Sequence, residues 1–409
     1  MAIPSLAMIP SGYKDGKVYS VLPTNGDGDF TFSRGSNGTR VNKDGLIETL
    51  TGDTPRLDYT DSSCPSLLLE GQSTNLVEYS EYFSQLLSQS NITITDNQVI
   101  SPDGTLNAAS FIDNSTNGVH RAFTNYSSSI ASGQLVSHSI FAKAKEHKWF
   151  QLSTGGNTND QWANFDLENG VIGNSSSSAN PIIESYGNGW YRCILFATTS
   201  ATNASLAGLI TLTNNLDTTL RSPSYSGSNG GVYVFGFQIE EGSYPTSYIP
   251  TNGAIATRLA DVCAGAGNSD TFNDSEGVLY AEISALANDG TFRAISLNSG
   301  SPSQSIRLFY RNDINKIQFY LQTNNESSYQ GSVSNATDFN KLAIKYKEND
   351  TDIYINGFLV HTMTSVAMPV GLSQLDFYNN NTQNFYGKVK DIRYYNTALT
   401  DEELQALTS

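Results

Sequence analysis

The 409-residue sequence has few basic residues and no long apolar run. Lys and Arg number 23 against 39 Asp and Glu, which gives a formal net charge of −16 at pH 7. Proteins that bind nucleic acid or an anionic membrane surface need clustered Lys and Arg. No stretch approaches the roughly 18 consecutive apolar residues of a membrane-spanning helix. The sequence therefore predicts neither nucleic-acid binding nor membrane insertion.

Cysteine is also scarce, since only Cys64, Cys193 and Cys263 occur and they lie far apart. They have neither the spacing of metal ligands nor the density of a disulfide scaffold, so we interpret them as buried or half-buried thiols. Residues 1–10 lack the basic start of a secretory signal and contain two prolines. We therefore expect no secretory signal there.

The composition instead favours strands and turns. Charged residues make up only 15% of the chain, aromatic residues make up 11%, and glycine occurs 34 times. Short strand-like runs alternate with Gly/Asn/Ser turns from about residue 76 to 254 and again after 270, without helix-period segments between them. This pattern predicts an all-β protein of tandem antiparallel β-sandwich (jelly-roll) domains.

Turn and linker signals divide the sequence into five parts. Residues 1–24 contain several prolines without sustained periodicity, so we predict an extended N-terminal docking arm that needs a partner surface. A small β module is predicted at 25–75, a first jelly roll at 76–255, a linker rich in small residues at 256–270, and a second jelly roll at 271–409.

Two local signals near the C-terminus are specific. Asn356-Gly357 between two apolar runs predicts a two-residue β-hairpin turn, because both positions tolerate positive φ. Thr400 followed by Glu403 predicts the capping box of a short helix, with Leu399 and Leu404 placed for a hydrophobic staple.

Several stretches carry a resemblance to known families. The hairpin at 352–360 and the ending at 387–407 resemble laminin-G-like (concanavalin A-like) jelly rolls. Other stretches resemble the carbohydrate-binding-module-like (CBM-like) jelly rolls and N-terminal parts of bacteriophage structural proteins, namely 75–84, 187–193, 235–251, 30–48, 55–59 and 66–77. The resemblance implies a fibre or head-decoration protein on the virion surface, made in the host cytoplasm and homo-oligomeric, with a trimer favoured.

Aromatic side chains are the candidates for carbohydrate binding, because their faces pack against apolar surfaces and their rims carry polar groups. Trp190 enters a strand and is expected in a core. Trp162 has polar neighbours able to bond sugar hydroxyls, and Tyr378 stands beside the amide-rich stretch 379–384. Trp162 and Tyr378 are therefore the predicted carbohydrate-binding residues, and ordinary packing is the alternative for each.

The one metal candidate is calcium, and no other cofactor is predicted. Asn25, Asp27 and Asp29 alternate and so offer oxygen ligands at every second residue, as in short Ca²⁺ loops. A plain turn is the stronger interpretation, because the later Glu of an EF-hand is missing. Resemblance to related jelly rolls also implies a structural Ca²⁺ elsewhere, without naming its ligands.

No convincing catalytic pair is present, so we predict that the protein is not an enzyme. Glu240 and Glu241 are adjacent on a predicted strand and should point to opposite faces, while the acidic residues at 401–403 suit a helix N-terminus. The preferred hypothesis is a virion surface protein that attaches to a host polysaccharide and contacts other virion proteins through its N-terminal arm. The alternatives are a purely structural decoration and a polysaccharide depolymerase.

Overall fold

The structure, a computed structural model, describes residues 2–86, 88–202, 205–323, 325–379 and 383–409. Its strands, in chain order, are β1 (Leu6–Met8), β2 (Tyr13–Lys14), β3 (Lys17–Val18), β4 (Phe30–Ser33), β5 (Gly38–Val41), β6 (Ile47–Leu50), β7 (Arg56–Asp58), β8 (Ser66–Leu69), β9 (Ser73–Asn75), β10 (Ser88–Ser90), β11 (Ile92–Ile100), β12 (Leu106–Asp113), β13 (Asn117–Val119), β14 (Arg121–Ser127), β15 (Leu135–Ala144), β16 (Trp149–Gly156), β17 (Trp162–Asp166), β18 (Val171–Ser175), β19 (Ile182–Ser185), β20 (Trp190–Thr198), β21 (Ser205–Leu212), β22 (Ser224–Ser226), β23 (Gly231–Glu241), β24 (Ala256–Arg258), β25 (Val262–Ala264), β26 (Glu276–Ala285), β27 (Arg293–Asn298), β28 (Ser305–Tyr310), β29 (Lys316–Gln322), β30 (Glu326–Ser332), β31 (Asn340–Lys347), β32 (Thr351–Ile355), β33 (Phe358–Met363), β34 (Gln374–Asp376) and β35 (Gly387–Tyr395).

The helices within these ranges are α1 (Phe83–Leu86) and α2 (Asp401–Thr408). Neither is long and apolar enough to cross a membrane. The chain forms two compact units, of which unit 1 comprises residues 2–37, 50–72 and 259–409 and unit 2 comprises residues 38–49 and 73–258. The strands pair antiparallel in several sheets, which confirms the predicted all-β class.

Unit 1 is a β-sandwich. One sheet has the strand order β33-β32-β31-β26-β35-β8-β7, and β1 also pairs with β35; the other has the order β30-β29-β28-β27-β34. Apolar residues from both sheets form one core, in which Leu279 and Ile283 of β26 join Leu308 of β28 and Phe319 of β29. Burial of these side chains is the main favourable contribution to the fold of this unit.

Residues predicted to form a docking arm belong to this sandwich. In β1, Leu6 lies opposite Tyr394 of β35, and both Leu6 and Met8 are completely buried. In the predicted β module, β8 extends the same sheet, with Leu67 opposite Val389. The structure therefore divides the chain differently from the predicted boundaries, because both short apolar runs pair with a strand more than 300 residues away in the sequence.

The predicted linker at 256–270 is also structured. Within it, β24 pairs with β9 of unit 2, and β25 pairs with β4 of unit 1. Ala266 is completely buried and forms a bridge with Leu375. The small side chain at position 266 therefore allows close packing against a neighbouring segment. The flexible linker predicted from the composition is not observed.

Two arginines and two carboxylates form a buried ion cluster in unit 1. Arg34 Nη1 lies 3.2 Å from Asp261 Oδ1, and Arg56 pairs with both Glu70 and Asp261. The amide of Glu70 donates to Asp261 Oδ2 at 2.7 Å. Because a buried charge is costly unless it is paired, this cluster holds residues 34, 56 and 70 of unit 1 around residue 261.

Unit 2 is a second sandwich, made of two six-stranded sheets. Their strand orders are β10-β14-β21-β16-β17-β18 and β11-β12-β23-β15-β20-β19. Phe150 and Phe165 of the first sheet stack at 5.5 Å in the core, where Ile140 and Phe237 of the second sheet are also completely buried. The first of these sheets carries the site described below.

The two specific local predictions are confirmed. Asn356 and Gly357 both have positive φ and form the turn between β32 and β33. Thr400 Oγ1 accepts a hydrogen bond from the Glu403 amide at 3.2 Å, and the Glu403 carboxylate accepts one from the Thr400 amide at 3.2 Å. Both features depend on residues that are close in sequence, which is why they could be predicted.

Candidate functional site

The candidate site is the outer face of the first sheet of unit 2. Along β16, Phe150 and Leu152 point into the core, so Gln151 and Ser153 point to the opposite side. The same alternation holds in the neighbouring strands β14, β21 and β17. We call this surface the Trp162 face and define it by nine residues, which are Arg121, Phe123, Trp149, Gln151, Ser153, Trp162, Asn164, Leu209 and Thr211.

The strand register arranges eight of these residues in two rows across four strands. The amide row runs Asn164, Gln151, Thr211 and Arg121. The aromatic row runs Trp162, Ser153, Leu209 and Phe123. Side chains directly opposite on neighbouring strands are about 4.5–5.5 Å apart at Cβ, so members of a row are direct neighbours.

A loop from residue 213 to 223, which we call the covering loop, binds the amide row. Asn164 Nδ2 donates to the carbonyls of Leu216 and Thr218 at 2.9 and 3.0 Å. Gln151 Nε2 donates to Asn164 Oδ1 at 2.9 Å and to the Leu220 carbonyl at 3.0 Å, and Gln151 Oε1 accepts from the Ser222 amide at 2.7 Å. Both amide side chains are completely buried, and these bonds compensate for their loss of water.

The aromatic row remains accessible at its two ends. Trp162 and Phe123 are each partly exposed, whereas Ser153 and Leu209 between them are buried. The guanidinium of Arg121 lies 5.4 Å from the centre of the Phe123 ring. Flat apolar rings beside hydrogen-bond donors can hold a sugar, because the rings pack against its C–H faces and the donors bind its hydroxyls.

Arg221 of the covering loop adds a second guanidinium. Its Nη2 donates to the Thr154 carbonyl, and it lies 3.6 Å from Asp160 Oδ1. Position 155 is glycine, and a side chain there would place its Cβ only 3.0 Å from the same Nη2. Glycine at 155 thus leaves room for Arg221 against the sheet, beside Leu209.

The structure places the three tryptophans in two environments. Trp190 is buried against Phe141 and Phe235, which confirms the expected core position. Trp162 lies on the Trp162 face, on the same side of β17 as Asn164. Trp149 lies there too, and our sequence reasoning missed it; its spacing of two residues from Gln151 could have placed it on the face.

Tyr378 lies in unit 1, directly after β34, and is partly exposed. Burial and the charge of Asp376 raise the pKa of its phenol. Asp376 itself is completely buried and accepts hydrogen bonds from Asn298 and Gln374, both at 2.8 Å. Residues 380–382 of the adjacent amide-rich stretch lie outside the described residues, and Tyr378 stays a prediction.

The expected calcium ligands form a hydrogen-bonded turn. Asn25 Nδ2 donates to Asp27 Oδ2 at 2.7 Å, and the Asp27 amide donates to Asn25 Oδ1 at 3.1 Å. Asp29 accepts from the Ser20 amide at 2.9 Å and lies 3.5 Å from Lys17 Nζ. In the described part of the chain, no group of three or more His, Cys, Asp or Glu side chains is placed to hold a metal ion. This geometry favours the turn interpretation.

Glu240 and Glu241 occupy opposite sides of β23, as the strand period predicts. The Glu240 carboxylate is completely buried and accepts bonds from Ser73 Oγ, Gln238 Nε2 and the Thr246 amide. Glu241 is exposed. Glu240 thus anchors neighbouring segments to β23. Because the two carboxylates lie on opposite sides of the strand, they cannot act together on one substrate bond.

One family model matches part of the chain. The sequence model of a laminin G family, described as the concanavalin A-like lectin/glucanases superfamily, matches residues 266–405. This stretch of unit 1 therefore has a fold that carbohydrate-binding proteins use. No curated protein matches the chain.

Solved structures similar to parts of the chain have low scores. The Ruminococcus gnavus IT-sialidase CBM40 bound to alpha2,3 sialyllactose shares 15% identity with a TM-score of 0.29, over 34% of this chain and 84% of that one. Domains LG4-5 of the mouse laminin alpha1 chain share 9% identity with a TM-score of 0.25, over 70% of this chain and 89% of that one. The SAP-like pentraxin from Limulus polyphemus shares 12% identity with a TM-score of 0.27, over 33% of this chain and 70% of that one.

Proposed function

We propose that this protein is a non-enzymatic virion surface protein of a bacteriophage, in the form of a fibre or head decoration, and that it attaches to host polysaccharide through the Trp162 face. The observation that carries the binding part is the placement of Trp162, Phe123 and Arg121 on one sheet face. The virion part follows from the sequence resemblance to phage structural proteins. Homo-oligomerisation, with a trimer favoured, would multiply weak contacts into avidity.

Contact with other virion proteins is assigned to residues 1–24, as the sequence suggests. Leu6 and Met8 are committed to the core of unit 1, so they are unavailable to a partner. Among the described residues of this segment, the large apolar side chains that stay exposed are Ile3, Ile9, Tyr19 and Val21. These side chains are therefore the proposed contacts with other virion proteins. The sequence prediction instead assigns these contacts to a wholly extended arm.

A purely structural decoration is the second candidate function. The amide row supports it, because the side-chain amides of Gln151 and Asn164 donate their hydrogen bonds to carbonyls of the covering loop. They therefore need no ligand as a hydrogen-bond partner. Under this alternative the protein would bind its particle and show no affinity for glycans.

The first test is binding of the purified full-length protein to a broad array of bacterial glycans, with calcium and with EDTA. Selective binding supports the attachment function, and loss of binding in EDTA would place an ion in or near the site. Failure to bind any glycan on the array favours the structural decoration.

Substitution of Trp162 by Ala should weaken glycan binding at least tenfold, since central aromatic contacts carry much of the binding free energy. Phe358→Ala is the matched control, because Phe358 is an exposed aromatic residue of unit 1. Titration calorimetry on a glycan chosen from the array measures both. Equal affinity of Trp162→Ala and the unmodified protein would remove the Trp162 face from the proposal.

A further inference from the structure

The Trp162 face carries two cationic side chains in a strongly acidic protein. Arg121 ends the amide row, opposite Thr211 and Ser90 on the neighbouring strands. Arg221 reaches the face from the covering loop and lies over Gly155. The whole chain has only 23 Lys and Arg against 39 Asp and Glu, so two arginines on this one surface need a specific reason.

Both guanidiniums keep unused hydrogen-bond donors. The Nε atoms of Arg121 and Arg221 are buried and make no hydrogen bond to any described residue. Within the described ranges, no Asp or Glu forms an ion pair with Arg121, whose guanidinium lies over the face of Phe123. Arg221 has Asp160 at 3.6 Å, a long and largely solvent-exposed pair. Because these Nε atoms are buried, a ligand can reach only the Nη groups of the two partly exposed side chains, and a charged acceptor there would form a charge-assisted hydrogen bond.

The chemistry of arginine defines the acceptor. Its planar guanidinium presents parallel N–H groups that match the two oxygens of a carboxylate. The rings of Trp162 and Phe123, at the two ends of the aromatic row, offer flat apolar surfaces on the same face. We infer that the Trp162 face selects glycans that carry carboxylate groups, such as polymers containing uronic or other acidic sugars. This inference rests on the proposed glycan-binding function and names its ligand class.

The covering loop becomes part of the recognition surface. Leu220 is 63% exposed, and the next residue is Arg221. The loop is held in place by Gln151 and Asn164, so the position of Arg221 depends on the amide row. Gln151 and Asn164 therefore position a binding residue and do not themselves contact the sugar.

The test uses matched pairs of polysaccharides and the full-length protein. Alginate, polygalacturonate, hyaluronan and polysialic acid are each compared with a carboxyl-reduced form, in which the acid has become a primary alcohol, and neutral dextran is the reference. Affinity electrophoresis or calorimetry should show binding to at least one native polymer that falls at least tenfold on carboxyl reduction. Binding should also weaken as salt rises, because charge interactions are screened.

Variants then assign the effect to the two arginines. Arg121→Gln and Arg221→Gln should each weaken binding by roughly tenfold to a hundredfold, the range expected for a hydrogen bond to a charged group. Lys43→Gln is the control, because it removes the same single positive charge at an exposed position away from the Trp162 face, in the turn between β5 and β6. Circular dichroism melting confirms that each variant is folded, and Arg121→Lys tests whether the forked geometry matters beyond charge.

The outcomes separate the two claims. Equal binding of native, reduced and neutral polymers, still weakened by Trp162→Ala, would overturn the acidic-glycan inference and leave the proposed glycan binding intact. Binding that depends on carboxylates but is unchanged in both arginine variants would also overturn the inference. Absence of binding to every polymer here and to the glycan array would overturn both.

Discussion

At the scale of single residues, the most unusual side chain is His138 on β15. Its imidazole is completely buried in unit 2, and burial lowers its pKa to about 3, with a small opposing contribution from the backbone of Ala207. Desolvation disfavours the charged form of histidine, so the folded state keeps this ring neutral through the mildly acidic range. In the unfolded chain the same ring titrates near pH 6.5.

This difference predicts acid sensitivity of unit 2. Below pH 6.5 the His138 imidazole takes up a proton in the unfolded chain but stays neutral in the folded state. The free energy of unfolding therefore decreases as the pH falls from 6.5 towards 3. At pH 5 the loss from this residue is about 2 kcal/mol. Urea unfolding at pH 7 and pH 5, followed by tryptophan fluorescence, measures it in unit 2, which contains all three tryptophans.

The variant His138→Leu cannot titrate and should show a smaller decrease in stability between the two pH values. His361→Leu is the control, because His361 is exposed on β33. If the His138→Leu protein lost as much stability on acidification as the unmodified protein, His138 would not be the source of the acid sensitivity.

At the scale of elements, the covering loop depends on Asn164 and Gln151. Asn164→Ala removes the donor to the Leu216 and Thr218 carbonyls and takes one acceptor away from the buried Gln151 Nε2. We expect a loss of about 1–3 kcal/mol in stability and several-fold faster trypsin cleavage after Arg221. Limited proteolysis with mass spectrometry identifies the cleavage point.

Asn125→Ala provides the comparison for this loop experiment, because Asn125 is an exposed asparagine on the same side of β14 as Arg121. It should leave the rate of cleavage after Arg221 unchanged. Equal cleavage rates for both variants would mean that the amide row does not hold the loop.

The elements also show how far sequence reasoning reaches. The Asn356-Gly357 hairpin and the capped helix α2 were predictable because their signals lie within four residues. The core position of Trp190 was predictable from its place at the start of a strand. Trp162 was selected for its polar neighbours, whereas its partners Arg121 and Phe123 come from a strand 40 residues away and required the register of the sheet.

At the scale of the whole molecule, the predicted domain boundaries differ from the observed units for the same reason. Composition marked residues 1–24 as an arm and 256–270 as a linker, because prolines, glycines and short apolar runs do not reveal distant partners. The pairing of β1 with β35 spans almost the entire chain. The buried ion cluster likewise joins residues more than 190 apart in sequence.

The ion cluster predicts which charge change will damage unit 1 most. Arg56→Met removes the partner of both Glu70 and Asp261 and should cost about 3–5 kcal/mol, because two buried carboxylates lose a cation. Lys148→Met is the surface control, since the side chains of Lys148 and its partner Glu168 are each half exposed, and should cost about 1 kcal/mol or less. Differential scanning calorimetry of both variants measures the difference, and similar melting curves would contradict a stabilising role for the cluster.

The discontinuity of unit 1 determines the order in which the protein is built on the ribosome. All of unit 2 has been synthesised once residue 258 is added, but the sheet that receives β1 is complete only when β35 ends at Tyr395. At about 5–20 residues per second, translation of that remaining stretch takes about 7–30 s. During this interval the apolar residues Leu6 and Met8 have no strand to pair with. The nascent segment that contains β1 is thus exposed to chaperones and to neighbouring chains until its partner strand has been made.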